Sequence, residues 1–275
     1  MTKPPHPLPY FGSKRRHAPK LAPFIKDRTE ALYEPFAGSL AMTLYSATHN
    51  LAERYIIGDI HEPICQLWDA IINEPGRTAH SYMTVWQGTT DADYFGTIRG
   101  RYNASHDPID LLWLIAASKD NQPRFKGADY ISDPDTRRPA KHPERMEQQI
   151  HRASYLLKGR TEIRAGDWQT TTEDSTKRDF IFMDPPYQGF TKPYAKSLAY
   201  DDLRNGVMQL KKRQVSLAIT YDGASRGTAY ATLPDDLNLT RLFIVSTNKS
   251  KGETFIESLY LWPPKKALQH QVIHI

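Results

Sequence analysis

Residues 179–187 read DFIFMDPPY: four apolar residues bounded by acids, then two prolines and a tyrosine. A short apolar run closed by turn residues reads as a buried strand. Asp184 then sits at the carboxyl end of that strand, where open α/β sheets gather their ligands. Pro185 and Pro186 fix the backbone and remove two N–H donors. The Pro185 carbonyl is therefore left as an acceptor beside the Asp184 carboxylate. Tyr187 adds an aromatic face. Two acceptors and a flat ring suit a planar base that carries an amino group. The plainer alternative is a strand-ending turn with a core tyrosine.

Outward from this stretch, residues 31–36, 54–60, 161–165, 179–183 and 215–220 all read as short buried strands. Three of them run into an acid that opens a loop: Asp59, Asp167 and Asp184. Strands alternating with helical stretches predict a parallel α/β sheet. Residues 241–247 and 254–262, joined by the polar loop NKSKGE, predict an antiparallel hairpin. The middle differs. Residues 63–158 hold ten aromatics, helical stretches at 63–73, 108–118 and 143–157, and no convincing strand. Residues 120–142, rich in Pro, Asp, Arg and Lys, read as a loop. The chain thus divides into an α/β domain in two pieces, 1–62 and 159–275, and a helical insert, 63–158.

Four further segments carry chemistry. Residues 33–39, YEPFAGS, predict a strand, a Gly38 turn and a helix starting near Ser39, where backbone N–H groups approach a nucleotide-like ligand. Residues 54–59, RYIIGD, end a second strand on an acid that commonly accepts from ribose hydroxyls; the alternative is a helix cap ahead of residues 61–70. Residues 9–14, PYFGSK, offer Tyr10 for stacking and Lys14 for a carboxylate. Residues 163–168, IRAGDW, present Asp167 to an amino group, with Trp168 equally suited to the core.

Composition bounds the function. Of 275 residues, 39% are hydrophobic and 11% aromatic, which excludes a disordered chain. The longest apolar run, 111–117, is too short to cross a bilayer, and no signal peptide is visible at the start. Cytoplasmic location follows as the default. The single cysteine, Cys65, excludes an intrachain disulfide and a cysteine-based zinc site, and the ten histidines are scattered, so no metal is expected. The net charge of +5 is small, but its placement is uneven. Residues 1–28 hold seven basic residues against one acid, and 188–213 hold six against two, while 63–158 balances twelve against twelve. Basic stretches flanking a neutral middle suit a polyanion such as nucleic acid; solvated faces are the alternative.

In the order PYFGSK, EPFAG, GD, GDW, DPPY, these segments resemble the Dam-like family of DNA adenine-N6 methyltransferases. The resemblance covers most of residues 8–62 and 159–262. It implies a Rossmann-like fold with a mixed seven-stranded sheet ending in an antiparallel hairpin, plus a helical target-recognition insert. It implies S-adenosylmethionine as cofactor and a flipped-out adenine in double-stranded DNA as substrate. Asp184, Pro185, Pro186 and Tyr187 match the catalytic motif. Tyr10, Gly12, Lys14, Glu34, Pro35, Phe36, Ala37, Gly38 and Ser39 fall in the cofactor pocket. Asp59 and Ile60 fall at the ribose, Asp167 and Trp168 near the adenine, and Asp184 adjoins both ligands.

One departure stands out. Leu40 occupies the place of the family's usual second glycine, where a side chain is expected to crowd the cofactor or shift the helix start. The insert matches poorly. Asn121, Arg124 and Lys126 are its best candidates for base or phosphate contact, with Lys192 and Lys196 as further phosphate contacts. A cognate restriction endonuclease fits as a partner, and a monomer suffices for a one-base transfer. Cytosine N4, an RNA base or a protein glutamine are rival substrates, but Asp184 favours adenine. A binding-only module and a dinucleotide-dependent oxidoreductase are the readings from other classes. The second lacks the three-glycine fingerprint.

Overall fold

The computed structural model describes residues 3–25, 29–88, 94–126, 129–132, 139–186, 198–225, 228–229, 232–248 and 253–275. In chain order these form α1 (Ala18–Leu21), β1 (Thr29–Glu34), α2 (Ala41–His49), β2 (Ala52–Asp59), α3 (Glu62–Asn73), α4 (Pro75–Gln87), α5 (Tyr94–Ser105) and α6 (Pro108–Ala117). There follow β3 (Phe125–Lys126), β4 (Tyr130–Ile131), α7 (Pro143–Leu157), β5 (Thr161–Ala165), α8 (Trp168–Thr171), β6 (Phe180–Met183) and α9 (Tyr200–Lys212). The chain closes with β7 (Ser216–Ser225), β8 (Thr228–Ala229), β9 (Thr240–Asn248), β10 (Glu253–Trp262) and β11 (Val272–His274).

Among the described residues the main sheet has nine strands, in the order β11-β9-β10-β7-β6-β1-β2-β5, with β8 paired to β7. Strands β5, β2, β1, β6 and β7 run parallel, and β10 is antiparallel to both β7 and β9. Seven of the nine are the expected Rossmann-like set with its terminal hairpin. The expected count is corrected by two short additions, β8 and the C-terminal β11. Of the loop NKSKGE, residues 249–252 lie outside the described residues, and Asn248 and Glu253 pair at the ends of β9 and β10. From β1 the chain moves one way to β2 and β5, then returns to place β6 and β7 on the other side. The crevice between the carboxyl ends of β1 and β6 is therefore the topological switch point.

The central strands bury both faces, which is why they read as continuous apolar runs. Leu32, Phe180, Phe182 and Ala218 pack on one face, with α2 and the helices of residues 63–158, in a single core. Ala31, Tyr33, Ile181, Met183, Leu217 and Ile219 pack on the other, against Leu203, Val207 and Leu210 of α9. Asp179 ties the strand starts together: Oδ1 accepts from the Ala31 N–H at 3.0 Å, and Oδ2 from the Thr176 N–H at 2.8 Å.

The apolar run at 111–117 forms the C-terminal part of α6, which packs against α3, α4 and α5, and the run is buried throughout. Asp107 caps it by accepting the N–H groups of Ile109 at 2.8 Å and Asp110 at 3.2 Å, with Pro108 at the first position. Residues 63–158 do contain strand, contrary to expectation: β3 and β4 form a two-residue ladder pairing Phe125 with Ile131 and Lys126 with Tyr130. So short a ladder is held by neighbours. Asn103 of α5 donates to the Ile131 carbonyl at 2.9 Å and accepts from its N–H at 2.8 Å. No helix among the described residues is long and apolar enough to cross a membrane.

Candidate active site

The carboxyl ends of β1, β2, β5 and β6 open onto a cavity of about 180 Å³. The β1 end contributes Glu34, Pro35, Phe36, Ala37, Gly38 and Ser39, and the β2 end Asp59 and Ile60. Asp167 and Trp168 follow β5, and Asp184 and Pro186 follow β6. The N-terminal segment closes the cavity with Tyr10, Gly12 and Lys14. All the residues expected at the cofactor thus line one cavity. Pro185 is buried beside it without lining it. Tyr187, Lys192 and Lys196 lie outside the described residues.

The turn after β1 is shaped by two left-handed residues, Gly38 (φ 40°) and Leu40 (φ 50°, ψ 43°). A Cβ on Gly38 would stand 3.2 Å from the Tyr10 ring, so glycine lets backbone and aromatic meet. The Leu40 N–H donates to the Ala37 carbonyl at 2.7 Å, and α2 begins at Ala41, later than expected near Ser39. Leu40 itself is fully buried in the core and does not line the cavity. The left-handed backbone turns this side chain inward, away from the cavity, and of the two expected effects it is the helix start that shifts. Leu40 offers no capping oxygen, and Glu34 caps instead: its carboxylate accepts from Thr43 at 2.8 Å and Met42 at 3.4 Å. Burial pushes the Glu34 carboxyl up to about 7 despite those bonds. The turn is braced by Trp68 of α3, whose Nε1–H donates to the Gly38 carbonyl at 2.9 Å. Ser13 and Ser39 bond to each other at 2.7 Å.

Asp59 accepts from the Gly38 N–H at 3.1 Å and from the His61 N–H at 3.0 Å. The N-cap of α3 is His61, two residues on, and Asp59 serves the helix start only by accepting the N–H of that residue. Burial holds its carboxyl up to about 6. Asp167 does cap a helix, accepting from the Gln169 N–H at 2.8 Å at the start of α8. Trp168 is both core and wall: it is buried, yet its ring stacks on Phe36 at 6.2 Å with a 29° tilt.

Asp184 lines the β6 side of the cavity. Its Oδ1 receives the Lys14 ammonium at 2.8 Å and the Thr220 hydroxyl at 2.7 Å. Burial pushes its carboxyl up, Lys14 pulls it down, and Glu257 pushes it up again. Lys14 also meets Glu257 Oε1 at 3.1 Å, and Glu257 Oε2 lies 3.1 Å from His17 Nε2. Sequence reasoning missed Thr220, Glu257 and His17. They come from β7, β10 and the N-terminal segment and carry no local motif. It also missed Leu198, Ala199 and Asp202, which wall the cavity from the start of α9.

Asn121, Arg124 and Lys126 lie apart from the cavity, on the β3–β4 hairpin and the turn before it. Phe125 and the fully buried Ile131 face inward, while Arg124, Lys126 and Tyr130 are exposed. The hairpin therefore presents two cations and an aromatic on one side.

Residues 10–255 match the D12 class N6 adenine-specific DNA methyltransferase family. The chain is 24% identical over 201 residues to the modification methylase StsI of Streptococcus sanguinis, a match covering 68% of this chain and 29% of that protein. It is 20% identical over 264 residues to the type II methyltransferase M1.LlaDCHI of Lactococcus lactis subsp. cremoris, covering 89% of each. The chain thus spans less than a third of the first relative and most of the second.

Proposed function

Since the chain belongs to the D12 class N6 adenine-specific DNA methyltransferase family, we propose that it methylates adenine N6 at a specific site in double-stranded DNA, with S-adenosylmethionine as donor. The observation that carries this reading is the Asp184 carboxylate, fixed by Lys14 and Thr220 at the switch-point cavity.

The residues present fit that donor. The Asp59 carboxylate suits a ribose diol, the Phe36–Trp168 pair a purine face, and the exposed Asp167 an exocyclic amino group. The Gly38 turn brings the backbone close and Tyr10 adds an aromatic wall to the same cavity. When bound, S-adenosylmethionine supplies an electrophilic sulfonium methyl. Everything else falls to this chain. An adenine amino nitrogen is a poor nucleophile because its lone pair is delocalised into the ring. Bonds from its hydrogens to the Asp184 carboxylate and the Pro185 carbonyl favour a pyramidal nitrogen with a directed lone pair. That positioning accounts for much of the rate. The Asp184 charge stabilises the positive charge that develops on nitrogen and is placed to take the proton shed afterwards. Lys14 pulls the Asp184 carboxyl down against the upward push of burial, which favours the ionised form.

The target atom is hidden in a duplex, so the base flips out at a cost of a few kcal/mol. Stacking on Tyr187 offsets roughly 1–3 kcal/mol of that. Residues 63–158 act as the target-recognition insert, with Asn121, Arg124 and Lys126 toward DNA and Lys192 and Lys196 on phosphates. A restriction endonuclease of the same specificity is the partner this activity would accompany, in the cytoplasm, with the enzyme working as a monomer.

The test is labelled-methyl transfer from S-adenosylmethionine to mixed-sequence duplex DNA, followed by digestion to nucleosides. N6-methyladenine is expected. N4-methylcytosine, or no transfer with the cofactor bound, refutes the assignment. Asp184→Ala is expected to abolish transfer while the protein stays folded and still binds DNA.

A further inference from the structure

His61 stands between two places that the chain otherwise keeps apart. Its backbone N–H donates to Asp59 Oδ1 at 3.0 Å, on the ribose side of the cavity, which His61 itself helps to line. Its side chain points the other way, into the helical segment. Nε2 lies 3.1 Å from Asp129 Oδ1 in the turn of the hairpin, and the Phe125 edge meets the ring at 4.9 Å and 81°. The ring is buried, with only 4% exposure, so any movement of residues 59–61 displaces its partners rather than water. On its other side the hairpin is pinned to α5 by the paired Asn103 bonds. Being two residues per strand, the ladder has little stability of its own and takes its position from these two anchors.

We propose that His61 is a positioning residue that couples cofactor binding at Asp59 to the placement of the β3–β4 hairpin, and through it to the DNA. The inference rests on the functional reading above. Ligand hydroxyls that donate to the Asp59 carboxylate fix in place the acceptor of the His61 N–H. Occupancy at Asp59 therefore changes the hold on residue 61, and the ring transmits the change to Phe125 and Asp129. Arg124, Lys126 and Tyr130, exposed on the same ladder, move with it. By linkage, DNA held by the hairpin tightens the cofactor by the same factor.

The test uses the full chain and S-adenosylhomocysteine, which cannot react. In the wild type, this ligand alone is expected to slow amide exchange across residues 125–131, without DNA. It is also expected to tighten a mixed-sequence duplex by about fivefold or more. In His61→Ala both effects are lost. Asp129→Ala, at the more exposed end of the contact, reproduces the loss and covers the case in which the buried variant fails to fold. Wild-type coupling that survives in Asp129→Ala overturns the proposal. A wild type that binds both ligands without either affecting the other overturns it alone. A wild type that binds neither overturns the functional reading as well.

Discussion

Leu40 gives a prediction in which backbone and side chain pull in opposite directions. Its backbone is left-handed (φ 50°, ψ 43°), and its side chain is fully buried. Leu40→Ala removes the side chain and keeps a Cβ, which costs about 3–5 kcal/mol in a packed core. Leu40→Gly removes the Cβ too, relieving the roughly 1–2 kcal/mol that a left-handed L-residue carries. Glycine's freer unfolded chain takes back about 0.4–1 kcal/mol of that relief. From the middle of each range, the glycine variant is therefore expected to be more stable than the alanine variant by about 0.8 kcal/mol, against an intrinsic preference that normally favours alanine. Urea denaturation of the three proteins at one pH measures this directly. Cofactor affinity, measured by calorimetry on the same samples, is expected to be unchanged between leucine and glycine, because the leucine side chain does not line the cavity. An alanine variant as stable as the glycine variant refutes the strain argument. A marked rise in cofactor affinity on Leu40→Gly refutes the claim that the side chain is out of the way.

Other expectations follow from the same geometry. The Asp59 carboxyl, held up to about 6 by burial, must be ionised to receive ribose hydroxyls. Cofactor affinity is therefore level above neutral pH and falls by roughly tenfold per unit once the pH drops below the folded pKa; calorimetry from pH 5 to 8 that shows a flat profile removes Asp59 from the ribose site. Glu34 ionises near 4.5 in the unfolded chain but near 7 in the fold. Within that window the folded state holds the extra proton, so stability falls as pH rises, and Glu34→Gln is expected to flatten that part of the stability curve. Thr220→Val removes a hydrogen bond to a charged oxygen, worth about 1.5–3 kcal/mol, so kcat is expected to drop roughly 10- to 100-fold. Cofactor affinity in that variant stays at the wild-type value, and an equal loss of both places Thr220 with the cofactor instead.

The parts of the site that were legible in the sequence share one physical cause. An acid directly after an apolar strand has few places to go except the carboxyl edge of a parallel sheet. Asp59, Asp167 and Asp184 were therefore readable from local pattern alone, and the structure brings all three to one cavity. The Gly38 turn was readable because strand, glycine and helix follow one another within a few residues. The hairpin ladder was not. Its two-residue strands have no periodicity to detect, and Asn103 and His61, which hold them, lie 22 or more residues away. Glu257 was hidden for a related reason. Within an apolar strand a lone glutamate reads as a solvent-facing residue, and only the N-terminal segment, arriving from the far end of the chain, turns it inward through Lys14 and His17.

Leu40 shows where family pattern and physics part. The resemblance leads to an expectation of glycine at that place, the backbone there is left-handed, which glycine adopts without strain, and pattern alone suggests that any side chain must point at the ligand. A left-handed residue instead fixes the direction of its Cβ, and in this fold that direction is the core beneath α2. Two needs follow from the turn: a Gly38 without Cβ, since a Cβ there would stand 3.2 Å from the Tyr10 ring, and a cap for α2 that Leu40 cannot supply. Glu34 meets the second need from the end of β1, and the bonds to Met42 and Thr43 hold it on the floor of the cavity. The buried acid of the motif EPFAG thus lines the cavity and, in this chain, also caps the helix that follows Leu40.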